Sequence, residues 1–192
     1  MRVTCDSTAG IIVDVQERLL PVMDNPDYTL ERVVTLIKGL GVLEVPMLLT
    51  EQYPKGLGPT VEPVFTAFTA FTAFTSARVG APPEAIVKSA FSCCDDDGFS
   101  ARLAELNRKT VLIAGIEAHV CVLQTTIDLL ERGFVPFVVT DAISSRSPRD
   151  RDIALRRLEM EGARLTTVES VLFELTRVSG TPRFKEISRL IK

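Results

Sequence analysis

The stretch AGIEAHVCVLQT, residues 114–125, holds the single histidine of the chain, His119, two places before Cys121, one of four cysteines. A histidine and a cysteine this close raise two chemistries, a nucleophile with its base or a pair of metal ligands. If a helix begins just after Ile116, positions 119 and 121 stand about 200° apart around its axis, so the imidazole and the thiol point to opposite sides. They cannot form a dyad. One imidazole is too few for a catalytic zinc, and the other cysteines lack paired C-x-x-C spacing. No metal or other cofactor is expected, and His119 reads as a residue of a rim or polar face. Cys121 carries more. It falls in the first turn after the apolar run TVLIAGI, where unpaired backbone N–H groups and the helix dipole favour a thiolate over a thiol. In open parallel sheets the ligand crevice lies beyond the carboxyl ends of the strands. Asp14 ends one apolar run and Lys88 ends another, EAIVK, so both join Cys121 at or just past the ends of expected strands. Plainer roles stay open for each: an N-cap or ion-pair partner for the aspartate, a snorkelling stem for the lysine, inert packing for the cysteine.

The elements that must position these groups alternate strand with helix. GIIVDV and VPMLLT read as buried strands around a helix from Tyr28 to Leu40, whose apolar residues Leu30, Val33, Val34, Ile37 and Leu40 recur at helical spacing. EAIVK, TVLIAGI and FVPFVVTD are further strand candidates, separated by helical patterns over Gly98–Asn107 and His119–Arg132. Ser147-Pro148-Arg149-Asp150 supplies an N-cap, a proline at the first helical position and an acid at the third, predicting a helix to Glu161 before Gly162. Thr181-Pro182 opens a last helix ending near Ile191. Continuous apolar strands each followed by a helix argue for an α/β chain with a parallel sheet covered on both faces. The segment FTAFTAFTAFT, residues 65–75, resists this scheme, because Phe65, Phe68, Phe71 and Phe74 recur every third residue. On an α-helix each ring steps back by about 60°, so the four rings alone form no single stripe. The expectation is a low-complexity expansion of a helical connection with some rings tucked onto the core. A hydrophobic lid or a subunit contact is the sharper alternative.

With 192 residues, 46% of them hydrophobic, and a formal net charge of -3, the chain can bury one substantial core. A sequence pI near 5.3 gives no general pull toward nucleic acid or anionic membrane. The apolar run Ala9–Val13 near the start is too short for a secretory core or a membrane span, so a cytoplasmic location is expected, with reduced thiols. Neither is expected as a partner, and small molecules fit better.

From GIIVDVQ through TEQYPKGLG, IVKSAFSC, AGIEAHVCVLQT and VTDAISSR to FKEISRLIK, the sequence resembles the isochorismatase-like family of cysteine hydrolases, most closely the subgroup carrying TEQYPKGLG and GIEAHVCVLQT. The resemblance implies one isochorismatase-like domain over residues 1–192. Its fold would be a Rossmann-like three-layer α/β/α sandwich with a six-stranded parallel sheet in the order 3-2-1-4-5-6, flanking the crevice with Asp14 and Cys121. It also implies a triad of Asp14, Lys88 and Cys121, in which Asp14 takes the thiol proton, Lys88 holds the aspartate and favours the thiolate, and Cys121 attacks an electrophilic carbon. A non-proline cis peptide at Ile116-Glu117 would aim the amides of Glu117 and Cys121 at the developing oxyanion. Gln16, Tyr53, Phe91 and Ser92 fall in matching motifs as pocket candidates, with core or loop packing as an equal account of each. Ala118 replaces a threonine of many relatives, so the substrate shell is altered. Metal-binding members use an aspartate and two histidines, a set this chain does not have, and true isochorismatases lack the cysteine. The implied activity is metal-independent hydrolysis of a small amide, ureido or related substrate through a covalent cysteine intermediate, by a homo-oligomer. Two alternatives stand beside it: a ribonuclease-like protein using Arg146, Arg149, Arg151, Arg156 and Arg157, and a non-catalytic interaction protein with an unreactive Cys121. Asp150, Asp152 and Glu159, interleaved with those arginines, make a solvated, internally paired helix the simpler account of the basic cluster.

Overall fold

The computed structural model describes the backbone over residues 2–79 and 84–192 and the side chains over residues 2–71 and 84–192. Six strands, β1 (Thr8–Val13), β2 (Met47–Gln52), β3 (Ile86–Lys88), β4 (Thr110–Ile116), β5 (Val135–Ser144) and β6 (Arg164–Thr166), form one sheet in the order 3-2-1-4-5-6. Every pairing is parallel. The central strands β1 and β4 are buried at every position, as a strand covered on both faces must be, and this is why they read as unbroken apolar runs.

Among the described residues eight α-helices surround the sheet: α1 (Pro26–Val42), α2 (Pro54–Leu57), α3 (Glu62–Val79), α4 (Asp97–Glu105), α5 (Leu123–Glu131), α6 (Pro148–Glu161), α7 (Val168–Thr176) and α8 (Pro182–Ile191). Alternate strand residues feed two cores. Ile12, Leu49, Leu112 and Val139 pack with residues of α1, α3, α7 and α8, whereas Ile11, Val13, Ile113 and Val138 pack with residues of α4, α5 and α6. The result is the expected three-layer α/β/α arrangement. The proline-led starts of α6 and α8 are capped as their sequences predict, Ser147 accepting from the Asp150 amide and Thr181 from the Phe184 amide. The pattern over His119–Arg132 resolves into a single π-helical turn, Ala118–Val122, followed by α5.

Three elements went unread in the sequence pattern, the one-turn helix α2, strand β6 and helix α7. Strand β6 has three residues at the sheet edge, half-exposed or exposed, so it carries no apolar run. Helix α7 has its signal in plain view: Val168, Val171, Leu172 and Leu175 are buried at positions i, i+3, i+4 and i+7 behind the cap Thr167.

The phenylalanine repeat lies in α3. Phe68 and Phe71 are 3% and 8% exposed while Phe65 is 42% exposed. Val64 and Ala67 are buried beside them, and together Val64, Ala67, Phe68 and Phe71 make the helical stripe that the rings alone do not. Phe71 packs against Gly41 of α1, where an added methyl would sit 3.1 Å from the ring. The described rings that are buried belong to the core, and the side chain of Phe74 lies outside the described residues. Among the described residues no helix is long and apolar enough to cross a membrane.

Candidate active site

The site forms where β1 and β4, adjacent in the sheet, point their carboxyl ends into the same crevice. Their register sets Val13 opposite Gly115. Gly115 has a φ of 120°, and a methyl group there would stand 2.1 Å from the Val13 carbonyl oxygen, so the chain crosses at a distance that only glycine allows. Past this point the Ile116–Glu117 peptide is cis. Asp14 follows β1 in a left-handed conformation, φ 51°, which aspartate tolerates better than most side chains. Its amide donates to the Thr50 carbonyl of β2 at 3.3 Å, fixing the turn.

Lys88, at the end of β3, reaches inward under the sheet end. Its ammonium lies 2.7 Å from Asp14 Oδ2, and both side chains are wholly buried. Three more acceptors crowd the Lys88 Nζ: Gln52 Oε1 at 2.8 Å, the Phe91 carbonyl at 3.1 Å and the Ala90 carbonyl at 3.2 Å. On the other side of the carboxylate, Thr50 Oγ1 donates to Asp14 Oδ1 at 2.7 Å. A buried charge pair persists only when its remaining lone pairs and protons are satisfied in this way. Burial pulls the Lys88 ammonium downward, but the Asp14 charge and hydrogen bond, helped by two nearby thiols, prevail and raise its pKa.

Cys121 joins the cluster from the first turn after β4, 6% exposed and near enough for the Asp14 and Lys88 charges to act on its thiol. Here the structure corrects the thiolate expected from the helix terminus. Burial first, then the Asp14 charge, push this thiol up to about 12, and the opposing pull of Lys88 is smaller. Burial thus keeps the resting Cys121 a neutral thiol, beside the Asp14 charge. A third group stands close by. Cys93 is fully buried, its Sγ 3.9 Å from Thr50 Oγ1 and its amide bonded to Thr125 Oγ1 at 2.9 Å. Burial raises this thiol to about 11.

Thr50, Gln52 and Cys93 were missed in the sequence because each owes its place to β2 and β3 lying beside β1, a neighbourhood no local pattern displays. The strand-end placement that drew attention to Asp14 and Lys88 holds for Gln52 as well, the last residue of β2.

The pocket candidates divide. Tyr53 and Phe91 are 58% and 56% exposed, the first just past β2 and the second three residues past β3. Gln16 is buried with its amide committed to the scaffold, donating to the Gln52 and Gly58 carbonyls and accepting from the Gln52 amide. Ser92 is buried too, hydrogen-bonded to Asp128 of α5 and accepting from the Cys94 amide. Ala118 is fully buried beside Cys121 in the second core. Glu117 is pinned by Arg146, whose Nε lies 2.6 Å from Glu117 Oε1. His119, half-buried, places Nδ1 2.9 Å from Ser145 Oγ and so stays apart from the thiol in its bonding, as the angular argument required. Among the described residues no three His, Cys, Asp or Glu side chains are grouped to hold a metal ion.

Against known proteins, the isochorismatase domain profile matches residues 8–170. Isochorismatase domain-containing protein 2 of Homo sapiens is 38% identical over 195 residues, covering all of this chain and 86% of its own length. The solved structure of MAR1 ribonuclease from Caenorhabditis elegans superposes with a TM-score of 0.86 at 36% identity, covering 100% of this chain and 92% of that one. YcaC from Pseudomonas aeruginosa, solved with covalent acrylamide, gives a TM-score of 0.85 at 29% identity over 97% of this chain and 89% of that one. The Escherichia coli YcaC product, described as an octameric hydrolase of unknown specificity, gives 0.86 at 26% identity, covering 100% and 89%.

Proposed function

Because this chain belongs to the isochorismatase family, we propose that it is a metal-independent cysteine hydrolase in which Cys121, Asp14 and Lys88 act on a small amide or ureido substrate. The observation that carries this reading is the buried Asp14–Lys88 pair at 2.7 Å, with the Cys121 thiol close enough to feel both charges. A thiol held near 12 does not attack as a free thiolate at neutral pH. Asp14 therefore takes the Sγ proton as the sulfur–carbon bond forms, and the carbonyl π electrons move onto oxygen. The amides of Glu117 and Cys121 stabilise that oxyanion, each worth about 3 kcal/mol in the transition state. Collapse breaks the carbon–nitrogen bond, Asp14 returns the proton to the leaving amine, and a thioester on Cys121 remains. Water then enters, gives a proton to Asp14 and adds as hydroxide. The carbon–sulfur bond breaks, the acid leaves, and the proton returns to the thiol. Lys88 holds the Asp14 carboxyl in place throughout.

The exposed rings of Tyr53 and Phe91 are proposed to wall the mouth of this crevice, with Ala118 leaving room where a larger side chain would intrude. Gln16 and Ser92 support that wall from behind. The covalent acrylamide of the Pseudomonas YcaC structure supports the choice of small amides as first ligands. The basic cluster gives the ribonuclease name of the worm relative little support, because three of its five arginines are ion-paired within the protein, Arg146 with Glu117, Arg151 with Asp24 and Asp152, and Arg157 with Glu161. The four free thiols fit a reducing, cytoplasmic setting. The octameric Escherichia coli relative supports a homo-oligomer, which light scattering would read as a mass well above 21.1 kDa, and a monomeric mass would refute it.

The test is a screen of small amides, ureido compounds and esters against wild type and Cys121→Ala, read by product and by intact mass. We expect a covalent adduct on Cys121 in the wild type and loss of turnover by at least about a thousandfold in the variant. Undiminished turnover by Cys121→Ala refutes the assignment.

A further inference from the structure

We propose that Thr50 is a positioning residue for this chemistry: held by Cys93, its hydroxyl fixes the Asp14 carboxylate in the orientation that receives the Cys121 proton. The inference rests on the cysteine-hydrolase reading above. Thr50 is fully buried on β2 and grips Asp14 twice, its carbonyl accepting from the Asp14 amide at 3.3 Å and its Oγ1 donating to Oδ1 at 2.7 Å. Lys88 holds the other oxygen, Oδ2, at 2.7 Å. Two donors on two different oxygens stop rotation of the carboxylate about its last bond. Threonine suits the task because branching at Cβ leaves its hydroxyl few rotamers.

The direction of the proton in this chain follows from what each group can do. A hydroxyl has one proton, and a carboxylate oxygen only accepts. The Thr50 proton therefore points to Asp14, and the contact with Cys93 at 3.9 Å is filled by the Cys93 S–H donating to the hydroxyl oxygen. Burial keeps Cys93 a thiol, and zero exposure keeps it out of a substrate's reach, so it acts only as this outer support. A proton shuttle between Cys121 and Asp14 depends on angle as well as distance, because weak or bent hydrogen bonds transfer poorly. Loss of the Thr50 hydroxyl frees the carboxylate to turn and leaves Oδ1 without its donor.

The experiment measures alkylation of Cys121 by iodoacetamide in the full chain between pH 6.5 and 9, with the modified residue mapped by mass spectrometry. In the wild type Asp14 accepts the proton as the bond forms, so the rate is expected to change little with pH. Thr50→Val is expected to be about tenfold slower at pH 7 and to rise steeply with pH, since solvent must then remove the proton. Thr50→Ser is expected to regain most of the rate and the flat profile, which a purely structural role for the threonine methyl would not restore. Cys93→Ala leaves Thr50 in place and is expected to slow the rate about two- to threefold. Wild-type rate and profile in whichever of Thr50→Val and Cys93→Ala folds overturns the role of Thr50. An unreactive Cys121 in the wild type overturns the hydrolase reading itself, so the two failures are distinguishable.

Discussion

At the scale of single residues the site is a buried carboxylate held by two donors, Lys88 and Thr50, beside the Cys121 thiol. Removing one charge of such a pair costs more than the pair contributes, because the survivor stays buried and uncompensated. Asp14→Asn is therefore expected to lower stability by about 3–5 kcal/mol, read by urea denaturation, and to make alkylation of Cys121 strongly pH-dependent. A variant as stable as the wild type would mean that Lys88 finds another counter-charge. The sequence made Asp14, Lys88 and Cys121 legible through one shared property, their position at strand ends. It left the protonation of Cys121 illegible, since the helix terminus that lowers a thiol pKa is local, whereas the burial and the Asp14 charge that raise it come from the fold.

At the scale of elements, legibility followed burial among the strands. Strand β4 is wholly buried and its predicted bounds, Thr110–Ile116, match the structure, and α6 was read to the residue from its Ser-Pro start and Gly162 stop. Edge strand β6 was lost because a half-exposed strand needs no apolar run. The repeat in α3 shows how a period can mislead: counting rings hid the stripe that Val64 and Ala67 complete. Phe68→Ala is expected to cost about 3–5 kcal/mol and Phe65→Ala less than about 1 kcal/mol, compared by chemical denaturation. Equal costs would show that the buried and exposed rings are not the distinct classes described. Gly115→Ala tests the β1–β4 crossing. An alanine there meets backbone rather than a yielding side chain, so a loss of more than about 3 kcal/mol is expected, together with loss of Cys121 reactivity in the folded fraction.

At the scale of the whole molecule, the buried thiols couple stability to alkaline pH. Cys93 is raised to about 11, and Cys94 and Cys121 to about 12, from an ordinary value of 9.0, in each case chiefly by burial. Above pH 9 the unfolded chain sheds these protons while the folded chain keeps them, so the unfolded state gains. Each thiol removes on the order of 1 kcal/mol by pH 10, a few kcal/mol for the three together. Lys88 adds to the same trend, because a raised ammonium pKa stabilises the fold at lower pH and its contribution fades as pH climbs through the folded value. Urea midpoints measured under reducing conditions should fall steeply between pH 9 and 10, and less so in Cys94→Ala. A flat profile would show that these thiols ionise as freely in the fold as out of it.

The strand order 3-2-1-4-5-6 has a last consequence. Asp14, Thr50 and Lys88 all come from the amino-terminal half of the sheet, and Cys121 from the other half, across the seam where β1 meets β4. Neither half alone brings Cys121 and the Asp14 carboxylate together. Reactivity at Cys121 of the kind proposed thus waits until the two halves zip along that seam, and an unassembled sheet leaves Cys121 an ordinary cysteine.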